Sequence, residues 1–159
     1  MSEAPKTRPV AADGPGSPVE AALLERVKEL RCLYGITRLA QMGGLSLDEL
    51  LQESARLVRD SWQYPEITCA SVSVDGLSRT TPGFARTAWR QSSPILVQGE
   101  PAGEVEVCYQ EGRPDRDEGP FLKEERHLIN AVADLLGHIV SRRRAEEQMR
   151  ALSRELIKA

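Results

Sequence analysis

Gly119-Pro120-Phe121-Leu122-Lys123-Glu124-Glu125-Arg126 opens a helical pattern that continues to the end of the chain and contains one further glycine, Gly137. Pro120 suits the first helical position, because its missing N–H would be unpaired there in any case. Glu124 and Glu125 complement the positive end of the helix. At about 1.5 Å per residue the helix would extend roughly 60 Å, several times the roughly 13 Å radius of gyration of a small domain. The pattern therefore predicts a helix that projects from its domain.

Length and composition indicate one ordinary globular domain. The chain has 159 residues, of which 40% are apolar, enough for one core. No apolar run is long enough to span a bilayer and the N-terminus lacks the layout of a signal peptide, so we expect a cytoplasmic protein without membrane contact. Three widely spaced cysteines favour reduced thiols, and a net charge of -3 supplies no electrostatic reason to bind nucleic acid.

Capping signals place two helices in the first part of the chain. Residues 1–17 are rich in proline and glycine and are predicted to be a disordered tail. Ser17-Pro18-Val19-Glu20 then reads as a capping box that starts a helix, which Gly43-Gly44 ends. A second capping box, Ser46-Leu47-Asp48-Glu49, starts an amphipathic helix that runs to about Trp62.

From Pro65 the hydrophobic period changes to two, which predicts antiparallel strands. A strand over 69–74 leads into the hairpin turn Asp75-Gly76, and a second strand follows at about 78–81. Residues 89–91 and 94–97 lead into a turn over 98–103, and residues 104–110 alternate again. A charged loop over 111–119 connects this sheet to the long helix.

Apolar residues at heptad spacing predict a homodimer through the terminal helices. In both terminal helices these residues step by four, three and four along the chain, so each forms a seam that a second helix can cover. The predicted seam consists of Leu23, Val27, Leu30 and Tyr34 in the first helix, and of Ala145, Met149, Leu152 and Leu156 in the last. Arginines and glutamates alternate along 141–159, which favours a solvated face over a nucleic-acid site.

The order helix, helix, strands, charged loop, long helix resembles a GAF domain, a small α+β sensor fold found beside PAS and histidine-kinase modules. The resemblance spans about residues 25–140 and is carried by Leu33-Tyr34-Gly35-Ile36, Trp62-Gln63-Tyr64-Pro65-Glu66, Gly103-Glu104-Val105-Glu106-Val107-Cys108-Tyr109, and the opening stretch with Leu128-Ile129. It implies a central antiparallel sheet with dimerising helices on one side and a ligand pocket, or its remnant, on the other. The implied organisation is a sensor domain over 18–140 and a coiled-coil signalling helix over 141–159.

The ligand pocket is predicted from scarce aromatic residues, nearby arginines and two strand cysteines. An apolar pocket with convergent cations would suit a small acidic or aromatic metabolite, although the tryptophans would equally suit the core and the arginines the solvent. The cysteines are either packing residues or thiols that line the pocket. The residues of this predicted pocket are Trp62, Tyr64, Cys69, Arg79, Phe84, Arg86, Trp89 and Cys108.

Two functions follow from these patterns. The first is a non-catalytic sensor that dimerises and transmits a ligand or partner state to a kinase or PAS module. The second is a thiol-dependent redox enzyme, or a haem-based redox or gas sensor, on the same fold. Phosphate-loop, hydrolase and C-x-x-C motifs are absent from the sequence, and the bilin and cyclic-nucleotide signatures of GAF relatives are missing or incomplete. Haem or another tetrapyrrole is the only cofactor that the resemblance suggests, and no metal site is predicted.

Overall fold

The computed structural model describes residues 16–158, and the predicted disordered tail lies outside the described residues except for Gly16 and Ser17. The elements confirm an α+β fold that has an antiparallel sheet and a long C-terminal helix. Their bounds are α1 Pro18–Gln41, α2 Leu47–Ser61, β1 Thr68–Val74, β2 Leu77–Thr80, β3 Arg90–Val97, β4 Glu100–Tyr109 and α3 Lys123–Lys158, with one 3₁₀ turn at Pro65–Ile67.

Both predicted helix starts in the first part of the chain are confirmed. The Ser46 side chain accepts the Glu49 N–H at 3.1 Å, and the Glu49 carboxylate accepts the Ser46 N–H at 2.9 Å, which completes the capping box of α2. At α1 the Ser17 side chain accepts the Glu20 N–H at 3.1 Å, and only this one of the two bonds forms. Two of the four donors that a helix start leaves free are thus satisfied locally at α2.

The long helix begins at Lys123, so the prediction that Pro120 occupies its first position is wrong. Glu118 and Phe121 form an antiparallel bridge, with both N–H···O distances at 2.9 Å, and Pro120 lies inside this tight turn. The turn carries the Phe121 ring into the core. Side chains then cap the helix, because Glu125 accepts the Leu122 N–H and Asp117 accepts the Lys123 N–H, each at 2.9 Å.

The four strands form an antiparallel sheet in the order β2-β1-β4-β3. The predicted Asp75-Gly76 turn is confirmed, with φ angles of 53° and 83°. The second turn is shorter than the predicted 98–103, because Gln98 and Gly99 close the hairpin alone and β4 starts at Glu100. A register shift between Ile95 and Leu96 absorbs one extra residue on β4, Ala102. At Gly103 an added Cβ would lie 1.8 Å from the Ser73 carbonyl oxygen, so the close strand pairing requires glycine.

Three layers build the domain. Helix α2 packs on β1 and β2, helix α3 packs on β3 and β4, and α1 packs on α2 and α3. Cys32 and Ile36 bring α1 into the same core as Trp62 and Phe121. In the described part of the chain, no helix packs on the opposite face of the sheet. Among residues 16–158, no helix combines the length and the apolar character needed to cross a membrane.

Candidate functional site

The residues of the predicted pocket lie in separate parts of the fold. Trp62 is fully buried in the core, where its Nε1–H donates to Gln91 Oε1 at 3.1 Å. Tyr64 packs edge-on against Tyr109, with ring centroids 5.5 Å apart. On the edge strand β2, Arg79 pairs with Asp48 at the start of α2. The structure does not bring these three side chains together with the rest of the predicted set.

Residues 81–89, which connect β2 to β3, lie over the face of the sheet that carries no helix, and we call this segment the strap. The Ala85 carbonyl oxygen accepts from Gln110 Nε2 at 3.0 Å and from the Cys69 thiol at 3.7 Å. Thr87 Oγ1 donates to the Tyr109 carbonyl oxygen at 2.7 Å. Four of the predicted pocket residues lie in this region. Phe84 and Arg86 are part of the strap, and Cys69 and Cys108 are covered by it.

The predicted pocket residue Trp89 is the last residue of the strap and is 38% exposed. Its ring lies beside Gly112, where an added Cβ would come within 3.2 Å of the indole. The structure thus places Trp89 at the margin of the strap and Trp62 in the core. The two tryptophans do not share one site.

Glu106 is the central residue of the sheet face that the strap covers. Its side chain is 3% exposed, and Arg86 donates to it through two parallel bonds of 2.7 and 2.9 Å. Arg90 Nε also donates to this carboxylate. Burial alone would raise the pKa of Glu106, but the two guanidinium groups outweigh it and hold the pKa below its ordinary value of 4.5. The carboxylate is therefore a charged anchor that holds the strap on the sheet.

Cys69 and Cys108 lie directly opposite each other on β1 and β4, and both are buried free thiols beneath the strap. Burial raises the pKa of Cys108, and the nearby Glu106 charge adds to this. Burial likewise raises the pKa of Cys32, in the α1 core, to about 11. A nucleophilic cysteine needs the reverse environment, with a lowered pKa and some exposure. Cys32 and Cys108 are therefore placed for packing.

A concave site lies on the helix side, between the C-terminal end of α1 and the middle of α3, and we call it the helix groove. It encloses about 700 Å³. One wall consists of Thr37, Ala40, Gln41, Met42 and the turn 43–45, and the other of Leu135, His138, Ile139, Arg142, Arg143, Glu146 and Arg150. Arg143 Nη1 donates to the Leu45 carbonyl oxygen at 3.0 Å, which joins α3 to the turn that follows α1.

Sequence reasoning missed the helix groove, since its walls are about a hundred residues apart in the chain. The available signals were the pair Gly43-Gly44 between two helices and the run Arg142-Arg143-Arg144. Neither signal shows that the two segments meet. Within residues 16–158, no group of three or more His, Cys, Asp or Glu side chains is arranged to hold a metal ion.

The predicted dimer seam lies on exposed surface. Leu23, Val27, Leu30 and Tyr34 are all exposed along α1, and Met149, Leu152 and Leu156 are exposed near the end of α3. Every described side chain from Ala145 to Lys158 is exposed. Both seams therefore leave apolar surface without a partner in the single chain.

No protein-family model matches this chain, and no curated protein is significantly similar to it in sequence. The features that bear on function are therefore the α+β architecture, the strap anchored by Glu106, the helix groove and the exposed seams.

Proposed function

We propose that this chain is a non-catalytic sensor module of the GAF type that dimerises through its terminal helices. In this proposal the dimer transmits a ligand or partner state to a downstream histidine-kinase or PAS module. The long helix α3 would be the output element, because it contacts the sheet through its first half and presents a seam in its second half.

The observation that carries the proposal is the exposed apolar seam on α1 and α3. Single exposed apolar residues are ordinary on protein surfaces, but a stripe at heptad spacing is what a second helix covers. On α1 the stripe includes Leu30 and Tyr34, which are 54% and 64% exposed. A second copy of the chain is the simplest occupant, since it would present the same two seams and close the assembly with two-fold symmetry.

The charged residues of α3 support pairing of two helices through the seam. Arg150 and Arg154 pair with Glu147 of the same helix at 2.9 and 3.5 Å. Heptad spacing places these three residues outside the seam, so the seam positions themselves carry no charge. Isolated helices of this kind are marginal in water, which also favours a paired state.

The alternative of a thiol-dependent enzyme has less support. Burial raises the pKa values of Cys32 and Cys108, and the strap covers Cys108 and Cys69. A reaction at either of the covered thiols would first require the strap to leave the sheet. A non-catalytic role requires no such opening.

The test is sedimentation of the full chain at micromolar concentration, where we expect a dimer. Leu152→Asp should weaken dimerisation at least about tenfold, because it would bury an unpaired charge in the seam. Ala151→Asp is the matched control: it adds the same charge to the neighbouring exposed residue, outside the heptad seam, and should leave the dimer intact. A wild-type chain that stays monomeric, or a chain ending at Val140 that associates as tightly as the full chain, would refute the proposal.

A further inference from the structure

We infer that the helix groove binds a small amphiphilic anion, a molecule with an apolar chain and a single carboxylate or phosphate head. The inference rests on the proposed function in one respect only, because it makes this molecule the signal that the sensor reads. Binding itself requires only the groove.

The size and lining of the groove suit such a molecule. Its volume of about 700 Å³ falls within the range of ligand pockets. Ala40, Met42, Leu135 and Ile139 supply apolar surface along both helices. The turn at Gly43-Gly44 carries no side chains, so it leaves the groove accessible at one end. An extended apolar chain could therefore lie between the two helices.

The charge of the groove selects an anion. Arg142, Arg143 and Arg150 line it; Arg142 pairs with Glu146 and Arg150 with Glu147, which leaves Arg143 as the groove arginine with no described acidic partner, in a chain whose net charge is -3. The local excess of positive charge is thus opposite in sign to that of the protein. A cationic ligand would be repelled there, and a neutral one would leave the charge of Arg143 without an acidic partner.

Arg143 is the group best placed to hold the anionic head. Its side chain is half-buried, and its one described hydrogen bond goes to the Leu45 carbonyl oxygen. A guanidinium carries five N–H donors in a planar fork, so further donors remain for a carboxylate or phosphate. Arg142 can assist, because its bond to Glu146 is a long, exposed pair of 3.3 Å that contributes little by itself.

The position of the groove connects a ligand to the proposed output. The groove joins the end of α1, the turn before α2 and the part of α3 that directly precedes the seam at 145–156. A bound anion would contact both helices that carry the seams. Occupancy would therefore affect how the two seams are presented to a second copy.

The first experiment is isothermal titration of the full chain with octanoate and, separately, octyl phosphate. We expect saturable binding of one molecule per chain for at least one of them, and the stronger of the two identifies the head group. Octanol and inorganic phosphate supply the chain and the head alone, and each should bind at least about tenfold more weakly. No saturable binding of either anion, or equal binding of octanol, would overturn the inference.

Variants then locate the site. Arg143→Gln should weaken binding at least about tenfold through loss of the charge-assisted bonds. Ala40→Leu, which keeps every charge and fills the groove, should weaken it as well and remains informative if Arg143→Gln loosens the turn at Leu45. Arg116→Gln is the matched control, since it removes a charge from an exposed loop away from the groove. Unchanged affinity in both groove variants would overturn the assignment.

Sedimentation of the same samples separates this inference from the proposed function. A dimer that binds neither anion refutes the groove assignment and leaves the proposed function standing, whereas a monomer that binds one of them does the reverse. Binding to the Leu152→Asp chain but not to the wild-type dimer would show that the second copy occupies the groove. That result would also overturn the inference.

Discussion

Glu106 and Glu125 are both buried carboxylates, but their surroundings are opposite. Glu106 lies under the strap and is neutralised by Arg86 and Arg90. Glu125, at the start of α3, accepts only from neutral donors, namely the Gln63 N–H at 2.8 Å, the Leu122 N–H at 2.9 Å, the Gln63 side chain at 3.0 Å and the Tyr109 hydroxyl at 3.4 Å. Burial raises the pKa of Glu125 above its ordinary value of 4.5, whereas the arginines lower that of Glu106.

The difference shows which contacts can reopen. Arg86 is 62% exposed, so water can replace Glu106 as its partner when the strap leaves the sheet. The donors around Glu125 belong to the end of α2, to β4 and to the start of α3, and the Leu122 N–H is buried. The Leu122 N–H therefore has no water to replace Glu125, whereas Gln63 is half-buried. We therefore expect the strap to be the detachable part of the fold, and the Glu125 cluster, between the sheet and the long helix, to be its permanent joint.

The largest expected effect comes from removing the carboxylate at the permanent joint. Glu125→Leu leaves several donors unsatisfied, at about 1–3 kcal/mol for each one that stays buried, so we expect it to lower the free energy of unfolding by at least about 3 kcal/mol. Chemical denaturation measures this. The neighbouring Glu124→Leu is the control, because Glu124 makes none of these bonds, and an equal loss in both variants would contradict the role of the cluster.

A smaller effect is expected at the strap. Glu106→Gln removes the charge that holds the arginines, and because Arg86 is largely exposed we expect a loss of only about 1 kcal/mol. The strap should detach more often, so thiol reagents should label Cys69 and Cys108 faster, while Cys32 in the α1 core keeps its rate. Mass spectrometry resolves the three sites. Equal acceleration at Cys32 would indicate global unfolding and refute a detachable strap.

The smallest effect is the pH dependence of stability, which has opposite signs at the two sites. Above pH 4.5 Glu125 keeps its proton in the folded state, whereas the same carboxyl group in the unfolded chain has lost it. The contribution of Glu125 to the free energy of unfolding therefore falls as pH rises from 4.5 through its raised pKa. Glu106 has the reverse linkage, and its contribution is lost as pH falls from 4.5 through its lowered pKa.

Denaturation curves across this pH range test both signs. Glu125→Gln should flatten the decline on the higher-pH side, and Glu106→Gln should flatten the decline on the acid side. Each variant serves as the control for the other. The same change of slope in both would show that neither carboxylate has the assigned environment.

Local rules were sufficient for most of the elements. The serines before α1 and α2, the Asp75-Gly76 turn and the alternation along β1 act through neighbouring residues, and the structure confirms them. The predicted start of α3 was three residues too early. Glu118 and Phe121 form a bridge around Pro120, and Asp117 caps the helix at Lys123. These are tertiary and loop contacts that helix periodicity does not contain.

The residues of the predicted pocket do not lie together in the structure. Trp62 and Trp89 were grouped because both are aromatic and close to the sheet, but only the sheet packing decides that one is buried and the other lies at the strap margin. The helix groove depends on Arg143 reaching Leu45 across the domain. No sequence pattern within α1 or α3 predicts that contact.

The sequence by itself determined the helices, the strands, the hairpin turns and the heptad seams, because capping, alternation and heptad spacing act over a few neighbouring residues. Only the tertiary structure decided where the strap lies, which carboxylate is paired with arginines and where α1 and α3 enclose the groove. The physical reason is that burial and charge pairing depend on distances between residues far apart in the chain. Glu106 lies among cations and Glu125 among neutral donors. The pKa values of these two carboxyl groups are therefore shifted in opposite directions, although the side chains are chemically the same.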